Sequence, residues 1–196
     1  MVLVVVAFVP LGGSTPSLKK TPAEIADFYS KHHSKESVAA FVLAIGAAFL
    51  AVFVASAWAL IRDEGRVWGS LFFGGGMVAV AGFLVGAAMH LALADGAKHG
   101  LDPVALQALN AIDNDDFLPF GIGIAIMLLG AAGAMIPQRG ALRWFGWVGL
   151  VLALASFTPA GFLGFAGAGL WVIAASIVLF MRAGESASGS SAPAAA

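Results

Sequence analysis

The sequence predicts an all-α integral membrane protein, a bundle of five to six transmembrane helices with two short interfacial amphipathic helices. Hydrophobic residues make up 60% of the 196 residues and charged residues only 11%, whereas soluble domains have about 25% charged residues. No Asp, Glu, Lys or Arg occurs in residues 37–61, 67–94, 117–137 or 144–181. Each of these stretches is long enough to cross a hydrocarbon core of about 30 Å as a helix.

We expect one transmembrane domain over residues 1–183. Its predicted spans cover residues 1–11, 37–61, 68–94, 117–136, 142–157 and 162–182. The first of these is only about 16 Å long as a helix, so we expect it to be the C-terminal half of a truncated first span.

The last long apolar run, residues 144–181, is about 57 Å as one helix and too long for a single crossing. Thr158 and Pro159 near its middle favour two spans, because proline disfavours helix at the residue before it. A re-entrant hairpin is the alternative. The small, polar residues 184–196 predict a disordered tail.

Two loops begin with helix-starting signals. Thr21-Pro22-Ala23-Glu24 is a capping box with proline at the first helical position, and Ile25, Phe28 and Tyr29 then share one face. Asp102-Pro103 is a second N-cap signal. An apolar stripe follows it: Leu101, Ala105, Ala108, Leu109 and Ile112. We expect both helices to lie on the bilayer surface.

The basic residues predict the orientation of the bundle. In a six-span topology, the arginines fall on one side and the lysines on the other. The arginines are Arg62, Arg66, Arg139, Arg143 and Arg182, and the lysines are Lys19, Lys20, Lys31, Lys35 and Lys98. The arginine side has the short loops in which the positive-inside bias is best expressed. We therefore expect a multi-pass cell-membrane protein with the arginine-bearing loops and the C-terminus in the cytoplasm.

In four short motifs, the chain resembles a family of actinobacterial multi-span membrane proteins, a six-helix domain of unknown function. The motifs are Phe-Val-Pro-Leu-Gly-Gly at residues 8–13, Ala-Glu-Ile-Ala-Asp-Phe-Tyr-Ser at 23–30, Leu-Gln-Ala-Leu-Asn at 106–110 and Leu-Arg-Trp-Phe-Gly-Trp at 142–147. A full first span is usual in that family. The resemblance implies the helical architecture and no activity.

Composition excludes several classes of function. The chain has no cysteine, which excludes thiol–disulfide chemistry, thiolate metal sites and iron–sulfur clusters. Its formal net charge of −1 gives no reason to expect a nucleic-acid partner.

His90 is the only ionisable residue well inside a predicted span. It follows Gly82 and Gly86 at steps of four residues, a row of small residues that lets a neighbouring helix approach closely. His90 is either a ligand or proton acceptor near the outer surface, or an interfacial histidine that hydrogen-bonds a neighbouring helix. A single histidine cannot provide bis-histidine haem ligation, and we expect no cofactor. With no carboxylate predicted beside it, the sequence argues against ion-coupled transport.

A candidate polar site on the predicted outer face combines His90 with acidic residues and a second histidine. Its residues are His90, Asp95, His99, Asp113, Asp115 and Asp116. Such side chains can bind a divalent cation, although the spacing matches no known metal motif. The alternative is a solvated acidic turn that faces Lys31 and Lys35. From the opposite charges we also expect residues 31–35 to dock over residues 113–116.

Three classes of function are compatible with these features. The first is a non-enzymatic membrane component, an accessory or scaffold protein that packs against itself or another membrane protein. The second is a binder or passive transporter of a lipid or small apolar molecule. The third is an outer-facing enzyme or metal site that uses His90 and the acidic turn.

Overall fold

The computed structural model describes residues 15–62, 66–158 and 161–189, the last range without the side chains of 162, 163, 179 and 182–189. Every regular element in these ranges is a helix. The helices are α1 (Pro22–Ile61), α2 (Arg66–Lys98), α3 (Pro103–Asn114), α4 (Phe117–Met135), α5 (Ala141–Ser156) and α6 (Gly161–Gly189). The predicted partial span over residues 1–11 lies outside the described residues.

Three helical segments are long and apolar enough to cross a membrane. They are α1, α2 and the stretch Pro103–Met135, which includes α3 and α4; α5 and residues Gly164–Val178 of α6 are shorter apolar helices. Large apolar side chains point outwards from α1, where Phe41, Phe49 and Val52 are each more than 60% exposed. The predicted helical bundle is confirmed, and its outer surface has the apolar character that lipid contact requires.

Helix α1 starts where the sequence predicts but does not stop where expected. The Thr21 hydroxyl accepts from the Glu24 backbone N–H, and the Glu24 carboxylate accepts from the Thr21 backbone N–H. The helix then continues through residues 30–37 to Ile61, so the separate interfacial helix predicted here is wrong. No proline or glycine interrupts those residues, and the first turns gain buried packing through Ile25 and Tyr29.

Helix α3 is confirmed as a separate element. The Asp102 carboxylate accepts from the backbone N–H groups of Val104 and Ala105, at 2.8 and 3.3 Å. Ile112, which was expected on the apolar stripe, is 57% exposed. The buried residues are Leu106, Asn110 and Asp113, because α3 packs on α1 and α2 through a face that also carries polar groups.

The core of the bundle is the contact between α2 and α4. It depends on glycines, since a Cβ on Gly75 would lie 2.8 Å from the Gly123 carbonyl oxygen, and one on Gly123 would meet the Ala79 backbone. These distances leave no room for a side chain at either position. Helix α1 also packs on α2, where Val54 lies against Gly76.

The final apolar run forms two helices, as the sequence predicts. Helix α5 ends at Ser156 and α6 begins at Gly161, and the Trp171 indole N–H on α6 donates to the Phe145 carbonyl on α5 at 2.9 Å. Helix α6 runs to Gly189, past the predicted start of the disordered tail at residue 184. The rest of that tail, residues 190–196, lies outside the described residues.

Candidate functional site

His90 lies on the inner face of α2, two turns before the helix ends, and only 4% of it is exposed. The glycine row that precedes it brings the next helix close, as the sequence predicts. A Cβ on Gly82 would lie 2.6 Å from the Phe120 backbone nitrogen, and one on Gly86 would lie 2.6 Å from Oδ2 of Asp116. The histidine is therefore held between packed helices.

Two carboxylates flank the imidazole of His90, one at each ring nitrogen. Oε2 of Glu36 lies 3.7 Å from Nδ1, and Oδ1 of Asp113 lies 3.7 Å from Nε2. Glu36 comes from α1 and Asp113 from α3, so each member of this buried triad belongs to a different helix. Glu36 is 1% exposed and Asp113 is 4% exposed, which makes the triad inaccessible from solvent.

The carboxylates of the triad are incompletely hydrogen-bonded. Both oxygens of Glu36 and Oδ1 of Asp113 have no hydrogen-bond partner among the described residues, and the same holds for the nearby Ser37 hydroxyl. A separation of 3.7 Å allows ion pairing but is too long for a hydrogen bond. Buried polar groups without partners are rare in proteins and expensive when charged, so the protonation state of the triad decides its stability.

The second oxygen of Asp113 is bound by the segment that precedes α1. The Thr15 hydroxyl donates to Oδ2 of Asp113 at 2.9 Å. One residue further on, the Pro16 carbonyl accepts from the side-chain amides of Asn110 and Asn114 at 3.0 and 3.3 Å. Residues 15–20 therefore lie across α3 and close the triad on that side.

A buried hydrogen bond joins α1 directly to α3 beside the triad. The Tyr29 hydroxyl donates to Oδ1 of Asn110 at 3.0 Å, and neither residue is exposed. Ile25, Tyr29, Leu93 and Leu106 form a small apolar cluster around this bond. The two loops therefore meet mainly through apolar contacts and amide hydrogen bonds. Of the segment predicted to dock over residues 113–116, His33 pairs with Asp95 at 3.2 Å and Lys31 pairs with Asp27 on its own helix at 2.7 Å.

The structure places the predicted site residues in different surroundings. Only His90 and Asp113 meet in the triad. Asp95 is exposed and pairs with His33 at 3.2 Å, and His99 contacts the Asp95 carbonyl one turn back.

The other two aspartates of the acidic turn lie outside the triad. Asp115 is exposed, and Asp116 is half-buried against Gly86. Among the described residues, no group of three or more His, Asp or Glu side chains could hold a metal ion. The metal interpretation of this face gains no support.

Sequence reasoning missed Glu36. A signal for it existed, because Ile25, Tyr29 and Glu36 recur at helical spacing on one face once α1 is treated as a single helix. The prediction of a helix boundary before Ser37 removed that continuity. With the span starting at Ser37, Glu36 falls outside it, and the sequence predicts no carboxylate beside His90.

No protein family model, curated protein or solved structure matches the chain.

Proposed function

We propose that this chain is an integral membrane protein that acts as a non-enzymatic component, an accessory or scaffold protein that packs against a second copy or another membrane protein. The three long apolar helical segments and the outward apolar side chains support the location. Membership of the six-helix actinobacterial family is part of the same proposal and rests on the four motifs quoted above.

The observation that carries the non-enzymatic role is the burial of the triad. Catalysis requires that substrate atoms come within hydrogen-bond distance of the reacting groups. His90, Glu36 and Asp113 are each at least 95% buried, and residues 15–20 cover the triad at Asp113. A proton can reach such a site during small fluctuations, whereas an organic substrate would require the helices to separate.

Native mass spectrometry of the chain, extracted from its own membrane in copolymer nanodiscs, tests this proposal. We expect either a multiple of the 19.9 kDa chain mass or a stoichiometric complex with one other membrane protein. Substitutions on the outward face of α1, such as Phe49→Ser, should weaken that assembly if the face contributes to it. Only single chains with bound lipid would overturn the role of component and favour the lipid binder.

The arginine-bearing loops and the C-terminus are proposed to be cytoplasmic. Short loops with an excess of arginine support this orientation, and Arg62 at the end of α1 lies over the ring of Trp58 at 5.5 Å, as is usual for interfacial residues. Reporter fusions after Arg66 and Arg139 should report the cytoplasm, and a fusion at Lys98 should report the exterior. The opposite result at any two of these positions would overturn the orientation.

A further inference from the structure

We propose that Glu36, His90 and Asp113 form a binding site for one exchangeable proton. The proton is taken up from the aqueous phase at the polar end of the bundle, the end at which residues 15–36 contact residues 95–116. The inference goes beyond the proposed function, because it holds whether or not the chain has a partner. It rests on the placement of a carboxylate at each nitrogen of a buried imidazole.

The geometry fixes the number of protons that the site needs. A neutral imidazole has one N–H donor and one nitrogen lone pair. With a carboxylate at each nitrogen, one carboxylate of the triad would always face that lone pair, and both groups would be acceptors. An additional proton removes the conflict in either of two positions. On the ring it makes imidazolium, which donates from both nitrogens; on Glu36 or Asp113 it makes a carboxylic acid that donates to the lone pair.

Both arrangements contain the same proton count and the same net charge of about −1 on the three groups. Loss of the proton leaves two buried carboxylates and no compensating charge, which is strongly unfavourable in the interior. The triad therefore holds a proton that an isolated histidine would release near neutral pH.

An independent observation points to the same ligand. The Glu36 side chain is 99% buried, and neither of its oxygens has a hydrogen-bond partner among the described residues. An ionised carboxylate in that position lacks the donors that normally compensate burial. A proton held in the triad either gives the imidazole the compensating positive charge or turns one carboxylate into a neutral acid.

The other polar groups around the triad influence the site without replacing it. From α1, Tyr29 feels the charges of Glu36 and Asp113. From the turn before α4, Asp116 feels the charge of Asp113. Asp116, when ionised, adds negative charge near Asp113 and favours retention of the proton, whereas the neutral Tyr29 hydroxyl adds no charge. The opposing contribution is the Thr15 hydroxyl, which stabilises the ionised form of Asp113.

The proton links pH to the contact among α1, α2 and α3. An ordinary exposed imidazole releases its proton near pH 6.5, and unfolding would expose the groups of the triad to water, whereas the folded triad keeps one proton. Above that pH the folded state binds more protons than the unfolded state, so stability falls as pH rises. Below it, down to the range where carboxylates titrate, both states hold the proton and stability is level.

Thermal unfolding of the full chain in detergent between pH 5.5 and 9.5 tests whether stability depends on the proton of the triad. The wild type should lose stability above about pH 6.5 with a one-proton slope. The stability of Glu36→Gln should depend much less on pH, since the amide can donate to the lone pair of a neutral imidazole. Asp95→Asn is the matched control, because Asp95 also pairs with a histidine but is exposed; its profile should parallel the wild type. Parallel profiles of the wild type and Glu36→Gln would overturn the proposal.

Thr15→Val separates proton binding from simple packing. Removal of a donor to ionised Asp113 should shift the decline in stability to higher pH, because the proton is then held more tightly. A merely structural role of Thr15 would lower stability equally at every pH, and that result would exclude its influence on the site.

A spectroscopic measurement on the wild type covers the case in which the variants do not fold. At pH 7.5 the proton should appear either on His90 as imidazolium in nitrogen-15 NMR or on a buried carboxyl as an infrared C=O band that shifts in D₂O. His99, which is exposed, provides the internal reference for a histidine in contact with water. A neutral His90 together with no such carboxyl band would overturn the proposal.

Discussion

Two regions of this bundle are held together by different physical means. In the middle, α2 and α4 meet through glycines such as Gly75 and Gly123, with backbone against backbone. At the polar end, α1, α2 and α3 meet through the triad and the bond from Tyr29 to Asn110. The first contact is insensitive to charge and pH but intolerant of added volume. The second depends on protons and donors, and it is where the bundle can respond to its environment.

The largest expected effect is at the triad. His90→Leu removes the imidazole that lies between Glu36 and Asp113 and can carry the proton of the triad, and it leaves two buried carboxylates together. Breaking a buried charge pair in this way costs about 3–5 kcal/mol, so we expect a large drop in thermal stability in detergent at pH 7. His99→Leu, at an exposed position, should stay within about 0.5 kcal/mol of the wild type.

A double-mutant cycle sharpens this prediction. In a Glu36→Gln/Asp113→Asn background the charges are gone, and His90→Leu should cost much less than in the wild type. Equal costs in both backgrounds would mean that His90 acts through packing alone. The contrast between the two regions would then disappear.

The second effect concerns the α2–α4 contact. A Cβ at Gly123 would meet the Ala79 nitrogen and would lie 2.8 Å from its Cα, so Gly123→Ala must push the helices apart. Overpacking costs about 1–3 kcal/mol, measurable as a lower melting temperature that is the same at pH 6 and pH 9. Gly121→Ala on the same helix meets nothing within 4 Å and should raise stability by about 0.5–1 kcal/mol. Similar losses for both variants would contradict the close contact.

The sequence predicts these two regions unequally well. Small residues at steps of four predict a helix-packing face without knowledge of the partner helix. Gly82 and Gly86 therefore predict the close approach of a neighbouring helix from the sequence alone. The triad joins residues 36, 90 and 113, and periodicity within one helix cannot show which distant helices meet. The apolar stripe of α3 likewise does not show that another face of this helix, with Leu106, Asn110 and Asp113, is buried against protein.

An effect of similar size is expected at the buried hydrogen bond of the polar end. Tyr29→Phe keeps the ring in its apolar cluster but leaves Oδ1 of Asn110 buried without its donor. An unsatisfied buried acceptor costs about 1–3 kcal/mol, which unfolding in detergent would detect. Tyr29→Phe combined with Asn110→Leu should recover part of this loss, because no polar group is then left unpaired. A greater loss in the double variant would show that Asn110 matters mainly through its bond to Pro16.

The smallest effect is expected at the surface charges that first pointed to docked loops. Lys31 and Asp27 form an exposed pair one turn apart on α1, with 68% and 58% of their side chains accessible, and such pairs contribute about 0–1 kcal/mol. Lys31→Ala should therefore change thermal stability by less than about 1 kcal/mol, and the difference should vanish in high salt because exposed pairs are screened. Lys98→Ala, on an exposed position of α2, is the control for loss of one positive charge. A clearly larger, salt-sensitive loss for Lys31→Ala would mean that charge attraction to the acidic turn holds the polar end closed, in place of the apolar cluster and the amide bonds.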